Sequence, residues 1–184
     1  MGLYKIQEVY FIGIGGIGVA AIARMMLLEN KKVSGSDISR SIITEELERL
    51  GAKIHYGHNE DNLDSPDLVV YSPAISESNP ELLKARNLSI QTLSYPEMLG
   101  IISKDKYTIA VSGAHGKTTT TAMIGKILKD AKLDPTIIVG SLLKDERSNF
   151  VAGRSKYFVV EACEYKRSFL NINPKIIVIT NIDN

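Results

Sequence analysis

Tyr10-Phe11-Ile12-Gly13-Ile14-Gly15-Gly16-Ile17-Gly18-Val19-Ala20-Ala21 is the stretch that decides the fold. Before the glycines, Glu8 to Ile12 is a short, almost continuously apolar run, the pattern of a strand buried on both faces. After them, Ile17 to Glu29 repeats apolar residues at helical spacing and closes on Lys31-Lys32. The run from Val9 to Ala23 is uncharged and ends in small residues, which superficially imitates a secretory signal. Gly13, Gly15, Gly16 and Gly18 argue against that, because each glycine costs a helical apolar segment roughly 1 kcal/mol relative to alanine. The run is also shorter than the ~20 apolar residues a bilayer crossing requires. Strand, glycine turn and helix account for the same residues.

Working outward, strands and helices keep alternating. Val33 to Ser36 reads as a strand ending at Asp37, and Ile42 to Leu50 as a helix stopped by Gly51. Lys53 to Tyr56, Leu68 to Tyr71 and Ser89 to Thr92 are further strands, with helices at Pro80 to Arg86 and Tyr95 to Ile102. Such alternation predicts a parallel sheet flanked by helices. The polar run Ser103-Lys104-Asp105-Lys106 then interrupts the pattern, and a second unit restarts it. A strand at Tyr107 to Val111 leads through a loop into a helix from Thr118 to Ala131. Strands follow at Thr136 to Val139, Tyr157 to Val160 and Ile176 to Thr180. The predicted organisation is a domain over 1–102, a linker over 103–106 and a second domain over 107–184. The sequence ends soon after its last strand, where a parallel sheet calls for a covering helix, so the second domain is expected to be incomplete.

Gly13, Gly15 and Gly18 satisfy G-x-G-x-x-G in its proper context, with Gly16 inside it and Asp37 ending the next strand about twenty residues on. The glycines let backbone N–H groups approach a diphosphate at the positive end of the helix, and Asp37 can accept a ribose hydroxyl. NAD is the commonest occupant of this pattern, but a UDP-linked substrate offers the same diphosphate and ribose. A ligand-free glycine turn is the plainer alternative.

The second loop, Ser112-Gly113-Ala114-His115-Gly116-Lys117-Thr118-Thr119, matches only the G-K-T end of the phosphate-loop pattern, since Val111 stands where the full pattern has its first glycine. Backbone N–H groups from Ala114 to Thr118 would cradle a β-phosphate, Lys117 would span the β- and γ-phosphates, and Thr118 would place its hydroxyl on Mg²⁺. Tyr157-Phe158-Val159-Val160-Glu161 delivers a carboxylate from a strand end, a second metal ligand or simply a solvated acid. The fold class is therefore α/β: a Rossmann-like parallel-sheet domain, then the first part of a P-loop ATP-binding domain.

His115 either contacts nucleotide or shapes its turn; His55 reads as structural; His58 falls in the crevice region at a strand's carboxyl end. Cys163 reads as a packing residue, and as the only cysteine it forms no internal disulfide, which suits the cytoplasm. No Cys/His spacing suggests zinc. The 184 residues, 44% hydrophobic and 23% charged with a net charge of +1, exclude global disorder and give no general attraction to nucleic acid or an acidic membrane surface.

In combination these residues resemble the Mur ligases of peptidoglycan synthesis. The resemblance rests on residues 11–18 and 34–37, on Tyr71-Ser72-Pro73-Ala74-Ile75 with Asn79-Pro80-Glu81, and on 112–122. It continues through Glu161-Ala162-Cys163-Glu164, Ser168-Phe169-Leu170 and Thr180-Asn181-Ile182-Asp183. It implies that Gly13 to Gly18, Asp37 and the segment from Ser72 hold the UDP part of UDP-N-acetylmuramate, that Lys117 and Thr118 hold ATP and Mg²⁺, and that Glu161 ligates the metal. The implied reaction is amide formation with L-alanine: a substrate carboxylate takes the γ-phosphoryl group of ATP, and an amine displaces phosphate from the acyl phosphate. Many relatives carry Asp where Cys163 stands. The family continues beyond the Asn-Ile-acid segment into a histidine metal ligand and an amino-acid domain, so this chain is expected to be an amino-terminal portion that is inactive alone. A noncatalytic UDP-sugar or nucleotide module, an NAD-linked oxidoreductase and a ligase attaching recycled peptide are the competing readings. Oligomeric state is open, and neither nucleic-acid binding nor membrane insertion is expected.

Overall fold

The computed structural model describes residues 3–143, 148–162 and 165–182; Cys163 lies outside them. The chain forms two compact units, Met1–Tyr95 and Pro96–Asn184.

In the first unit, strands β1 (Glu8–Ile12), β2 (Lys32–Asp37), β3 (Lys53–Tyr56), β4 (Leu68–Tyr71) and β5 (Gln91–Ser94) form a sheet of order β3-β2-β1-β4-β5. Every pairing is parallel, with Phe11 opposite Gly35 and Ile12 opposite both Ser36 and Tyr71. The central place of β1 explains its unbroken apolar run, because Val9, Tyr10, Phe11 and Ile12 are all buried. The strand order reverses between β1 and β4, so the crevice at their carboxyl ends is where a doubly wound sheet takes its ligand.

Helix α1 (Ile17–Leu28) buries Val19 to Ala23 and Met26, and its small residues allow close approach to the sheet. Helix α2 (Ile42–Arg49) starts at a capping box in which Ser41 and Thr44 satisfy each other's backbone N–H groups. Arg24 of α1, almost fully buried, binds both carboxylate oxygens of Glu46 of α2 at 3.0 and 2.7 Å. Helix α3 (Pro80–Asn87) is capped by Asn79 and begins with proline, whose missing N–H costs nothing there. The strand expected at Ser89 to Thr92 lies two residues later. Leu88 and Ile90 still donate to Lys84 and Ala85 to close α3, and Ser89 takes a left-handed φ of 56° in that turn.

In the second unit the order is β10-β6-β9-β7-β8, where β6 is Tyr107–Ser112, β7 Thr136–Leu143, β8 Ser148–Val151, β9 Tyr157–Glu161 and β10 Ile176–Ile179. All pairs are parallel except β7 with β8, which is antiparallel. Sequence reading missed β8; so short a connection after β7 allows only a hairpin, since a parallel return needs a crossover of a dozen or more residues. Helix α5 (Lys117–Asp130) follows β6, and Gly125 lets it lie against Ile137 of β7. The residues expected to link the domains, 103–106, form the last turn of helix α4 (Tyr95–Lys104) and the bend into β6. Ser103 is fully buried there: its hydroxyl donates to Gly100 and accepts from the Asn173 N–H, and its carbonyl accepts from Thr108.

Asp67, ahead of β4, accepts the N–H groups of Gln7 and Glu8 at 2.8 and 3.0 Å, and these bonds hold its carboxyl below the usual range. A carboxyl lowered in this way stabilises the fold above its unfolded pKa of about 3.9 and loses that contribution as the pH falls further. Asp67→Asn is therefore expected to be the less stable chain at pH 7, with the gap narrowing as the pH falls below about 3.9. Urea midpoints above and below that pH measure this; a gap that widens on acidification contradicts the assignment.

Candidate functional site

The first glycine loop joins β1 to α1 and is braced from below. The N–H groups of Gly13 and Ile14 both donate to the Ser36 carbonyl, at 2.8 and 3.0 Å, and that of Gly16 to the Gly13 carbonyl at 3.1 Å. Gly13 has a φ of 77°, open to glycine at no cost, and a Cβ there would sit 3.1 Å from Ser72 Cβ. Ser72 thus closes one wall of the loop. Asp37 closes another, its carboxylate accepting the Gly15 N–H at 2.8 Å. A Cβ on Gly15 would lie 2.8 Å from that same oxygen and one on Gly18 2.6 Å from the Tyr95 ring, so both positions are confined to glycine by close neighbours. No side chain caps α1 at Gly16, which leaves its positive end to the backbone. An anion arriving here meets the helix start beyond Gly15, while Asp37 stands ready for a hydroxyl.

Beneath the loop is a buried polar cluster. Glu81, completely buried at the start of α3, accepts from Tyr10 Oη (3.1 Å), the Asn59 N–H (3.3 Å) and Asn62 Nδ2 (2.8 Å) on one oxygen. Its other oxygen takes Ser36 Oγ (2.5 Å) and His58 Nδ1 (3.1 Å), and the Ser36 hydroxyl also lies 3.0 Å from that nitrogen. Burial, then the charge of Glu81, pushes the Tyr10 phenol far above its ordinary range, so it stays a donor. His55, by contrast, sits in β3 without a place in this cluster.

The second loop joins β6 to α5. Gly113 and Gly116 have φ of 134° and 78°, and Gly116 caps α5 with no side-chain bond. Lys117 Nζ folds back onto the Gly113 and Ala114 carbonyls at 2.6 and 3.3 Å, over the backbone that would cradle a phosphate. The Thr118 hydroxyl donates to Glu161 at 2.8 Å, and the Gly140 N–H holds the same carboxylate oxygen at 2.7 Å. Cis ligands of an octahedral Mg²⁺ at 2.0–2.1 Å lie roughly 2.9 Å apart, so this hydroxyl–carboxylate pair fits one edge of such a site. Among the described residues no group of three or more His, Cys, Asp and Glu side chains could hold a metal. Thr119 is exposed on the first turn of α5.

His115 is exposed in the loop; its N–H donates to Asn181 Oδ1 at 2.9 Å and its carbonyl accepts the Thr180 hydroxyl at 2.5 Å. Its N–H is therefore turned to the protein rather than to a phosphate, a departure from the expected run of cradling amides. Three residues escaped notice as parts of a site: Thr180 and Asn181, which brace the loop from the end of β10, and Glu81. All three stand in segments that the family resemblance already contained, yet a hydroxyl and an amide just past a strand end and an acid in the first turn of a helix carry no spacing signal of their own.

Two glycine loops, each between a buried parallel strand and a helix and each with an acid from a neighbouring strand end beside it, give an α/β protein with two candidate phosphate loops. Residues 8–107 match the Mur ligase family, catalytic domain, and residues 111–184 the Mur ligase middle domain. The chain belongs to the Mur ligase family.

It is 52% identical over 178 residues to the UDP-N-acetylmuramate--L-alanine ligase of Clostridium novyi, covering 96% of this chain and 39% of that protein. It is 50% identical to the enzyme of the same name from Clostridium tetani over 98% of this chain and 40% of that one. The chain thus spans about 40% of the length of the curated relatives it matches. Among solved structures, the UDP-N-acetylmuramate-alanine ligase of Thermotoga maritima superposes with a TM-score of 0.89 at 34% identity, over 96% of this chain and 42% of that one. A UDP-N-acetylmuramate:L-alanyl-gamma-D-glutamyl-meso-diaminopimelate ligase from Neisseria meningitides gives 0.88 at 25% identity, over 97% and 61%.

Proposed function

We propose that this chain is the sugar-nucleotide- and ATP-binding portion of an ATP-dependent ligase that joins L-alanine to UDP-N-acetylmuramate in cytoplasmic peptidoglycan synthesis. The observation that carries this reading is 52% identity across 96% of the chain to a ligase of that name. Identity to the solved ligase for the longer peptide is 25%, which places attachment of recycled peptide second. The second phosphate loop, with its Thr118–Glu161 pair, has no use in an NAD-linked oxidoreductase. Among the described residues no helix is long and apolar enough to cross a membrane.

In this reading the first unit, 1–102 by sequence, holds the UDP part. The diphosphate lies at the start of α1, Asp37 accepts a ribose hydroxyl while keeping Gly15 in place, and His58 and Ser72 line the crevice. The second, 107–184, holds ATP. Gly113 to Thr119 wrap the phosphates, and Lys117 leaves its carbonyl partners to neutralise charge on the β- and γ-oxygens. Thr118 and Glu161 would hold Mg²⁺, which would supply Lewis-acid stabilisation of the phosphoryl group. The sugar's carboxylate attacks the γ-phosphorus and ADP leaves; the amine of L-alanine then attacks the acyl phosphate, forming the amide and releasing phosphate.

Calorimetry with UDP-N-acetylmuramate and with NAD tests the first unit. Preference for the UDP-sugar is expected, and equal or tighter NAD binding contradicts the reading. Gly15→Val should weaken the UDP-sugar about ten-fold, near the 1.4 kcal/mol of one lost hydrogen bond, because its Cβ displaces Asp37 from the loop. Gly15 is half-buried and the first atom its Cβ would meet is the movable carboxylate end of Asp37, so the urea midpoint is expected to change little.

A further inference from the structure

Glu81 is a fully buried carboxylate within reach of no lysine or arginine among the described residues, yet four donors and the His58 ring nitrogen converge on it. These come from β1 (Tyr10), the end of β2 (Ser36), the segment after β3 (His58, Asn59) and Asn62. Two of the tethered residues stand at the carboxyl ends of the strands, below the crevice. Ser36 supplies the carbonyl that receives both Gly13 and Ile14, so the hydroxyl–carboxylate bond of Ser36 fixes the footing of the glycine turn. Among the described residues His58 is hydrogen-bonded through Nδ1 alone, and its side chain is 16% exposed.

We infer that Glu81 is a positioning residue of the sugar-nucleotide site, holding the His58 imidazole with its proton on Nδ1 and its Nε2 presented as an acceptor to the ligand. This rests on the reading of the first unit as the UDP-sugar site. The chemistry is that of an imidazole oriented through its far nitrogen by a carboxylate. With Ser36 Oγ–H already donating to Glu81, the Nδ1 position has two oxygens before it and is satisfied only by carrying the proton. The ligand groups that match an Nε2 acceptor are N–H or O–H donors, such as the imide N–H of a pyrimidine base or a ribose hydroxyl; a phosphate oxygen does not match it.

Glu81→Gln inverts the arrangement for a geometric reason. Three donors meet one oxygen of Glu81, so the glutamine carbonyl stays there and its NH₂ turns towards Ser36 and His58. Nδ1 then becomes the acceptor, the proton moves to Nε2, and the ring offers the ligand a donor where it needs an acceptor.

The tautomer is read directly from imidazole ¹⁵N shifts of the 184-residue chain at pH 8. Nδ1 of His58 is expected at a protonated shift and Nε2 at an unprotonated one, reversed in Glu81→Gln. A native His58 protonated at Nε2 overturns the inference whatever the variants do. In calorimetry Glu81→Gln is expected to lose about ten-fold in UDP-N-acetylmuramate affinity, and the loss should vanish when His58 is already alanine. A loss of equal size in the His58→Ala background overturns the action through His58 and leaves only a structural role. Should Glu81→Gln fail to fold, the native tautomer together with an intact UDP-sugar affinity in His58→Ala decides against the inference, and a ten-fold loss there decides for it. If the unsubstituted chain does not bind the UDP-sugar, the reading of the site falls together with Glu81's role in it, a result separate from the tautomer.

Discussion

Lys117→Ala is expected to lower Mg²⁺-ATP affinity about a hundredfold while leaving UDP-N-acetylmuramate affinity within two-fold. Charge-assisted hydrogen bonds contribute roughly 1.5–3 kcal/mol each, and an ammonium spanning two phosphates makes at least two, so a loss near 3 kcal/mol is the low end. Among the lysine's resting partners are the carbonyls of Gly113 and Ala114, neutral acceptors that a polyphosphate can replace. Removing it leaves those carbonyls to solvent, because Ala114 is exposed and Gly113 partly so, and the fold is expected to keep its urea midpoint. Isothermal titration with Mg²⁺-ATP and, separately, with the UDP-sugar gives both numbers. Undiminished ATP binding in the variant removes Lys117 from its assigned role. A parallel loss of UDP-sugar binding shows that the substitution acts beyond the second loop.

What the sequence disclosed about the fold came from signals with a short physical range. Val9 to Ile12 could be read as a central strand because burial on both faces leaves no alternation, and α1, α3 and α5 because glycine, proline or asparagine mark their starts. The β8 strand was hidden because an antiparallel edge lacks the continuous apolar run of its parallel neighbours. The two-residue displacement of β5 was hidden because closing α3 consumes Leu88 to Ile90, a cost visible only once Ser89 is seen in a left-handed turn. Within the site, the glycines, Asp37, Lys117, Thr118 and Glu161 were nameable because each stands at a fixed offset from a strand or helix end. Glu81 was not. Its significance lies in five polar partners drawn from three separate segments, β1, β2 and residues 58–62, and no local pattern encodes such convergence. Likewise Thr180 and Asn181 matter only because β10 lies beside β6, which brings them under the second loop.

Gly35→Ala is expected to destabilise the first unit by about 3 kcal/mol, the top of the range for forcing extra atoms into a packed interior. Gly35 sits in β2 directly opposite Phe11 of β1, at an ordinary strand conformation, so the requirement for glycine is not a matter of φ. Its missing side chain is what lets the strands meet: a Cβ would press on the Phe11 carbonyl oxygen and lie 3.0 Å from Ile14 Cδ1. A flexible side chain could swing away, but a carbonyl in the central ladder cannot move without opening β1 from β2. The same displacement lifts Ser36, the next residue, and with it the carbonyl that anchors Gly13 and Ile14. Gly35→Ala should therefore lose UDP-sugar binding together with stability, whereas Gly15→Val should lose binding alone. The chain contains no tryptophan, so the transition is best followed in urea by far-ultraviolet circular dichroism or by amide exchange of β1 and β2. A loss of about 3 kcal/mol is a large share of the 5–15 kcal/mol that holds a typical domain, and a midpoint unchanged from the native chain would show that β1 and β2 separate more easily than their packing implies.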